Sequence, residues 1–331
     1  MNPFKKIGLI GNGSWATAII KLLTCHDIKI NWHIRKEEDI NFFQENHRNP
    51  RYLSELEFDL NKINFSSNIN EIAEKSEVLY FVVPSAFLDE FTNDLKVDIS
   101  KKLIVSGIKG IIPSTNLLFA DHFNQKYNVP EENIAVIAGP SHAEEIAKGQ
   151  LSYLTIAASN LYNAETIANQ LESHTLRTFI NDDVYGIEYA AVLKNIYALA
   201  AGICQGLGYG DNFNAVLVSN AITEIERFVN TVAPRERSIL SSAYLGDLLA
   251  TGYSKHSRNR TFGMMIGKGY SVKAAKLEMN MIAEGYYATE SFYKINAQYN
   301  IFMPILEAVY NILYENKPAG FEIKLLTHKI R

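Results

Sequence analysis

The chain has 331 residues, 47% hydrophobic and 21% charged, a balance that suits a folded protein of about two domains and excludes a disordered one. Its 32 basic and 36 acidic side chains leave a formal charge of −4, which argues against a nucleic-acid binder but leaves room for a local basic pocket. Cys25 and Cys204 are too few for a disulfide framework or a four-thiolate zinc site, and they suit a reducing compartment.

Residues 5 to 180 alternate short apolar runs with helical stretches. Lys5-Lys6 before Ile7-Gly8-Leu9-Ile10 imitates a secretory signal, but Gly11-Asn12-Gly13 ends the apolar run too early. The run is read as the first strand of a cytosolic protein. Trp15–Leu23 then reads as a helix and Ile28–Ile34 as a second strand. Val78–Val83, stopped by Pro84, Leu103–Ser106 and Ile134–Ile137 follow as strands, and Leu154–Ala157 and Arg177–Ile180 extend the set. Apolar strands separated by helices imply crossover units and a mainly parallel sheet covered on both faces. Beyond Asp182-Asp183 the pattern is helical, with breaks or helix starts at Asp211–Asn214, Ala233-Pro234 and Lys317-Pro318. No run of about 18 to 20 uninterrupted apolar residues is present, so no membrane insertion is expected.

Gly11-Asn12-Gly13-Ser14-Trp15-Ala16 is a G-x-G-x-x-A pattern between a strand and a helix. Gly11 permits the tight turn, Gly13 lets backbone approach a pyrophosphate, and Ala16 lets helix and strand pack closely. The helix N-terminus offers unpaired N–H groups to phosphate. The expected fold is therefore α/β: a Rossmann-like dinucleotide-binding domain over residues 1–183 and an all-α substrate-binding and catalytic domain over 184–331. An NAD site places an acid about 20 residues after the motif, on the ribose hydroxyls. Here Arg35 and Lys36 hold that place, with Glu37 and Glu38 slightly late. The basic pair suits a 2′-phosphate, so NADPH is expected to be accepted; the alternative is a solvated basic turn.

Residues 11–18 (Gly-Asn-Gly-Ser-Trp-Ala-Thr-Ala), Ser106–Gly110, Gly139–Ala143, Leu193–Asn195, Gly246–Thr251 and Ser257–Arg260 together resemble NAD(P)-dependent glycerol-3-phosphate dehydrogenases of the bacterial type. Ala16 replaces a frequent Gly, and Gly252 replaces a frequent Cys. The resemblance implies reduction of dihydroxyacetone phosphate to sn-glycerol 3-phosphate with NAD(P)H, feeding glycerophospholipid synthesis, in a cytoplasmic homodimer; no His, Cys and Asp cluster has metal-ligand spacing, so no metal is expected. It places cofactor contacts at Gly11, Gly13, Ser14, Trp15, Lys109, Ala143, Arg258, Ile282 and Glu284.

Lys194 lies on a helical stretch, Glu188–Ala201, that is apolar nearly all round. Burial would strip its solvation and lower its pKa, which suits proton transfer near neutral pH; the alternative is an amine that reaches the surface. The resemblance makes Lys194 the proton donor and acceptor, with Asn195, Asp247 and Thr251 beside it. Asp247 and Thr251 are expected to hydrogen-bond the lysine or substrate hydroxyls, although Asp247 also reads as a helix N-cap. Lys109, in a glycine-flanked turn after a strand, is a substrate contact by resemblance. Ser141 with Glu144 fits a capping box, and the resemblance adds substrate contacts at Gly139 and Ser141. Arg258 and Asn259, helped by Ser257, are assigned to the substrate phosphate, since a guanidinium fork matches a dianion; the alternative is a solvated basic loop. Two other classes stay open: a β-hydroxyacid dehydrogenase of the same architecture, and a non-catalytic dinucleotide sensor. The Ser257-Arg258-Asn259 segment disfavours the first, and Lys194 with that segment disfavours the second.

Overall fold

The computed structural model describes residues 4–279 and 283–330. By spatial contact the chain divides into two units, one of residues 1–108 and 119–184, the other of 109–118 and 185–331. The expected division at 183/184 leaves residues 109–118 in the first unit; they group instead with the second.

The first unit holds eight strands: β1 (Lys6–Ile10), β2 (Lys29–His33), β3 (Ile63–Ser66), β4 (Val78–Phe81), β5 (Leu103–Ser106), β6 (Ile134–Ala138), β7 (Ser152–Ala158) and β8 (Leu176–Asn181). They form one sheet in the order β3-β2-β1-β4-β5-β6-β7-β8. Every pairing is parallel except β6 with β7. Its helices are α1 (Ser14–Leu23), α2 (Glu37–Asn46), α3 (Ile69–Lys75), α4 (Leu88–Thr92), α5 (Phe119–Tyr127), α6 (Ala143–Ala147) and α7 (Leu161–Leu171). All four residues of β4 and of β5 are buried, as strands covered on both faces must be. β3 is the strand that apolar patterning does not reveal. Its Ile-Asn-Phe-Ser run lies at the sheet edge with only Ile63 fully buried, so burial does not force it to be apolar.

The second unit is helical: α8 (Val184–Gly206), α9 (Asp211–Val232), α10 (Asp247–Tyr253), α11 (Arg258–Gly267), α12 (Val272–Glu278), α13 (Glu284–Tyr299), α14 (Pro304–Leu313) and α15 (Ala319–Leu326). A π-helical turn, Ser242–Gly246, leads into α10. α8 is apolar over most of its length. By length and composition it could cross a membrane, although Glu188 and Lys194 interrupt it; 94% of its most apolar window is buried inside the protein. It is a core helix of its unit.

Candidate active site

In the first unit the glycine turn forms as expected. Gly11 has φ +116°, and a side chain there would press within 2.3 Å of the Val82 carbonyl oxygen, so both the turn and its close approach require glycine. A Cβ at Gly13 would meet nothing within 4 Å. Gly13 is the extended residue before α1, and no side chain caps that helix. Free space over an uncapped helix N-terminus fits the pyrophosphate of a dinucleotide. Ser14 and Trp15 open α1.

Arg35 and Lys36 follow β2 and are exposed. The Arg35 guanidinium lies 3.2 Å from Glu90 and 4.0 Å over the Phe91 ring; Lys36 lies 3.1 Å from Glu38. The acids just beyond are engaged elsewhere. Glu37 accepts from Ser67, and buried Asp39 binds Asn12 and Arg51.

Gly139 has φ +101° after β6. The capping box expected at Ser141 does not form. The extended residue before α6 is His142, with no side-chain cap, and the Ser141 hydroxyl donates to the Gly139 carbonyl at 3.0 Å. Ala143 is the buried first residue of this five-residue helix, which is too short to offer a helix-terminal anion site.

In the second unit, α8 carries Lys194 where every neighbour is buried, and the lysine is 4% exposed. Its ammonium donates to Asp247 Oδ1. The Lys109 ammonium stands 3.6 Å from Asp247 Oδ2, an oxygen without a hydrogen bond. Burial pulls the Lys194 amine down from 10.5 to about 7; the Lys109 charge adds to this and the Asp247 carboxylate opposes it. Asp247 is not a helix N-cap. The π-helical turn runs through Gly246 directly into α10, which frees the carboxylate for the lysine. The Thr251 hydroxyl donates back to the Asp247 carbonyl at 2.7 Å, and its oxygen keeps its acceptor positions.

Asn195 binds three groups inside its own unit. Nδ2 donates to the Lys109 carbonyl at 2.8 Å and to Ala191, and Oδ1 accepts from Asn259 Nδ2 at 2.9 Å. It joins segments, and one acceptor position of Oδ1 is left. Asn259 Oδ1 in turn accepts from the Gly285 N–H at 2.8 Å, leaving Asn259 one amide hydrogen. Gly285 was not singled out by sequence, yet a methyl group there would meet the Asn195 carbonyl oxygen at 2.5 Å. Ser257 caps α11 by accepting from the Arg260 N–H, and Arg258 is the exposed first residue of that helix. The basic segment is thus a capped helix start rather than a loop. Glu284 opens α13; Ile282 lies outside the described residues. Among the described residues, no cluster of His, Cys, Asp and Glu has the makings of a metal site.

Comparison with known proteins shows the family of the chain. Residues 6–164 match the family model for the NAD-dependent glycerol-3-phosphate dehydrogenase N-terminus, and residues 183–323 match that for the C-terminus. A Clostridium botulinum protein named glycerol-3-phosphate dehydrogenase (NAD(P)+) is 33% identical over 98% of each chain. One of the same name from Staphylococcus carnosus is 35% identical over 97% of each. A solved glycerol-3-phosphate dehydrogenase from Coxiella burnetii superposes with a TM-score of 0.89 at 28% identity, covering 98% of both chains.

Proposed function

We propose, because this chain belongs to the NAD-dependent glycerol-3-phosphate dehydrogenase family, that it reduces dihydroxyacetone phosphate reversibly to sn-glycerol 3-phosphate with NAD(P)H. The observation that carries the reading is the buried Lys194 amine, paired to Asp247 with Lys109 beside it and drawn down to about 7.

A reduced nicotinamide, when bound, supplies the hydride for the ketone carbon. The backbone N–H groups of Asn12, Gly13 and Ser14 would hold the dinucleotide's phosphates, with Trp15, Ala143 and Glu284 as further contacts and Arg35 with Lys36 on a 2′-phosphate. Lys194 gives a proton to the forming alkoxide, and takes one from the alcohol in the reverse direction. An amine near 7 is well matched to both tasks. Asp247 Oδ1 orients that amine, and its unbonded Oδ2 suits a substrate hydroxyl. Lys109 adds positive charge where the oxyanion develops. Arg258 takes the substrate phosphate, with the remaining Asn259 amide hydrogen and Ser257 beside it. Gly139 and Ser141 are further substrate contacts.

The family membership also supports a cytoplasmic homodimer whose product enters glycerophospholipid synthesis. The purified protein, mixed with NADPH and dihydroxyacetone phosphate, should consume the reduced nicotinamide absorbance, and unphosphorylated dihydroxyacetone should be a far poorer substrate. Equal rates with the two ketones would refute the phosphate assignment. No consumption with either NADPH or NADH would refute the reaction.

A further inference from the structure

The three carbonyl groups of the glycine turn are all held by donors inside the first unit. Gly11 O accepts from the Trp32 indole at 2.6 Å, and Asn12 O accepts from Asn49 Nδ2 at 3.0 Å. Gly13 O accepts from the Thr17 hydroxyl and the Thr17 N–H, each at 2.9 Å. In a trans peptide the C=O and N–H point opposite ways. Fixing the carbonyls of residues 11, 12 and 13 therefore turns the N–H groups of Asn12, Gly13 and Ser14 away from those donors. Successive N–H groups aimed together make an anion-binding concavity.

We infer that Asn49 is a positioning residue for the dinucleotide, holding the Asn12–Gly13 peptide plane so that its N–H faces the pyrophosphate. This rests on the dinucleotide reading of the turn. Asn49 is fully buried, at 0% exposure, in the loop between α2 and β3. Its amide cannot rotate, because Oδ1 accepts from the N–H groups of Arg51 at 2.9 Å and Tyr52 at 3.1 Å. Its second Nδ2 hydrogen goes to Thr17 Oγ1 at 2.8 Å, and that hydroxyl passes its own hydrogen to Gly13 O. One amide thus orients two of the three carbonyls. Trp32 differs, since its ring also packs against Phe43, Phe58 and Phe65. All four hydrogen-bonding positions of Asn49 are used, two on its own loop and two toward the turn. Without the donor, the Asn12 carbonyl would lie unpaired or its peptide would turn to seek water, taking the Gly13 N–H with it.

The test compares wild type with Asn49→Asp and Asn49→Ala by NADPH titration calorimetry, thermal unfolding, and KM for dihydroxyacetone phosphate. Asn49→Asp keeps the acceptor for Arg51 and Tyr52 but loses the donor. Folded variants are expected to show about a tenfold higher Kd for NADPH, the scale of one charge-assisted hydrogen bond, with KM for dihydroxyacetone phosphate within twofold. A general loosening would raise both constants. A folded variant whose NADPH Kd stays within twofold overturns the inference. If neither variant folds, Thr17→Val decides: a severalfold rise in Kd supports it and an unchanged Kd overturns it. A wild type that binds neither NADPH nor NADH overturns the dinucleotide reading itself, an outcome distinct from equal binding by wild type and variants.

Discussion

A methyl group on Gly202 of α8 would sit 2.0 Å from the carbonyl oxygen of Arg260 in α11. The two helices touch backbone to backbone through Gly202 and Gly206 on one side and Gly263 and Gly267 on the other. Side chains at the last three would come within 2.4, 2.1 and 2.3 Å of opposing carbonyls. α8 carries Lys194, and α11 begins at Arg258, so this seam sets how closely the two helices that bear them pack. Gly202→Ala should force the helices apart, lowering stability by about 1–3 kcal/mol as overpacking does. It should also raise KM for dihydroxyacetone phosphate. An unchanged unfolding temperature with unchanged KM would show that the seam is not tight.

Lys194→Ala should lower kcat by at least about 10² while NADPH still binds in a direct titration. The pH profile follows from the lowered amine. Reduction uses the protonated form, so its kcat should fall as pH rises through about 7; oxidation uses the free amine and should rise through the same range. Asp247 opposes the lowering. Asp247→Asn should therefore move the alkaline limb of reduction to lower pH. A profile unmoved in that variant would mean that another group titrates.

Arg258→Ala should raise KM for dihydroxyacetone phosphate by about 10- to 100-fold, the range of a hydrogen bond to a charged group, and KM for NADPH far less. Ser257→Ala removes the α11 cap and should lower stability by about 1 kcal/mol. Equal effects of Arg258→Ala on both Michaelis constants would count against the phosphate assignment.

Arg35 meets Glu90 in an exposed pair, an interaction weak enough to exchange for a phosphate. Among the acids after β2, Asp39 is buried and held by Asn12 and Arg51, while Glu37 and Glu38 lie exposed beyond the basic pair. Arg35→Ala should raise KM for NADPH more than KM for NADH. A strong NADH preference that the substitution leaves unchanged would overturn the 2′-phosphate role.

Glu224 of α9 is buried and accepts from the Ile305 N–H at 2.6 Å, the Leu306 N–H and the Tyr197 hydroxyl. Burial lifts its carboxyl from 4.5 to about 8, against the pull of those donors and of Arg227. Between those values the folded state holds a proton that the unfolded state has lost, so this contribution is complete below about 4.5 and disappears as pH rises through about 8. Glu224→Gln should be near wild type at pH ~5 and more stable at pH ~8.5, by on the order of 1–3 kcal/mol. Parallel unfolding curves of the two proteins across that range would contradict it.

Much of this was legible in the chain itself. Strands buried on both faces must be apolar throughout, so Val78–Phe81 and Leu103–Ser106 announced themselves, and a turn that needs a positive φ marked Gly11. Lys194 stood out as a charge inside an oily helix. Asn49 did not. Its Asn-Pro dipeptide marks a turn, but nothing local points to a partner 37 residues away. The intramolecular partners of Thr251, Asn195 and Ser141 were not legible, because a hydroxyl or amide takes whichever donor or acceptor the fold brings within about 3 Å.

Periodicity, glycine spacing and the placement of single charges, which are properties of neighbours along the chain, determined the sheet, the helical second half, the glycine turn and the presence of a lysine inside an apolar helix. Tertiary structure alone decided that Asp247 faces Lys194, that Asn195 and Asn259 join helices, that residues 109–118 group with the second unit, and that Asn49 reaches back to the glycine turn. Hydrogen bonds and ion pairs act over a few ångströms of space, and only folding turns separation along the chain into that distance.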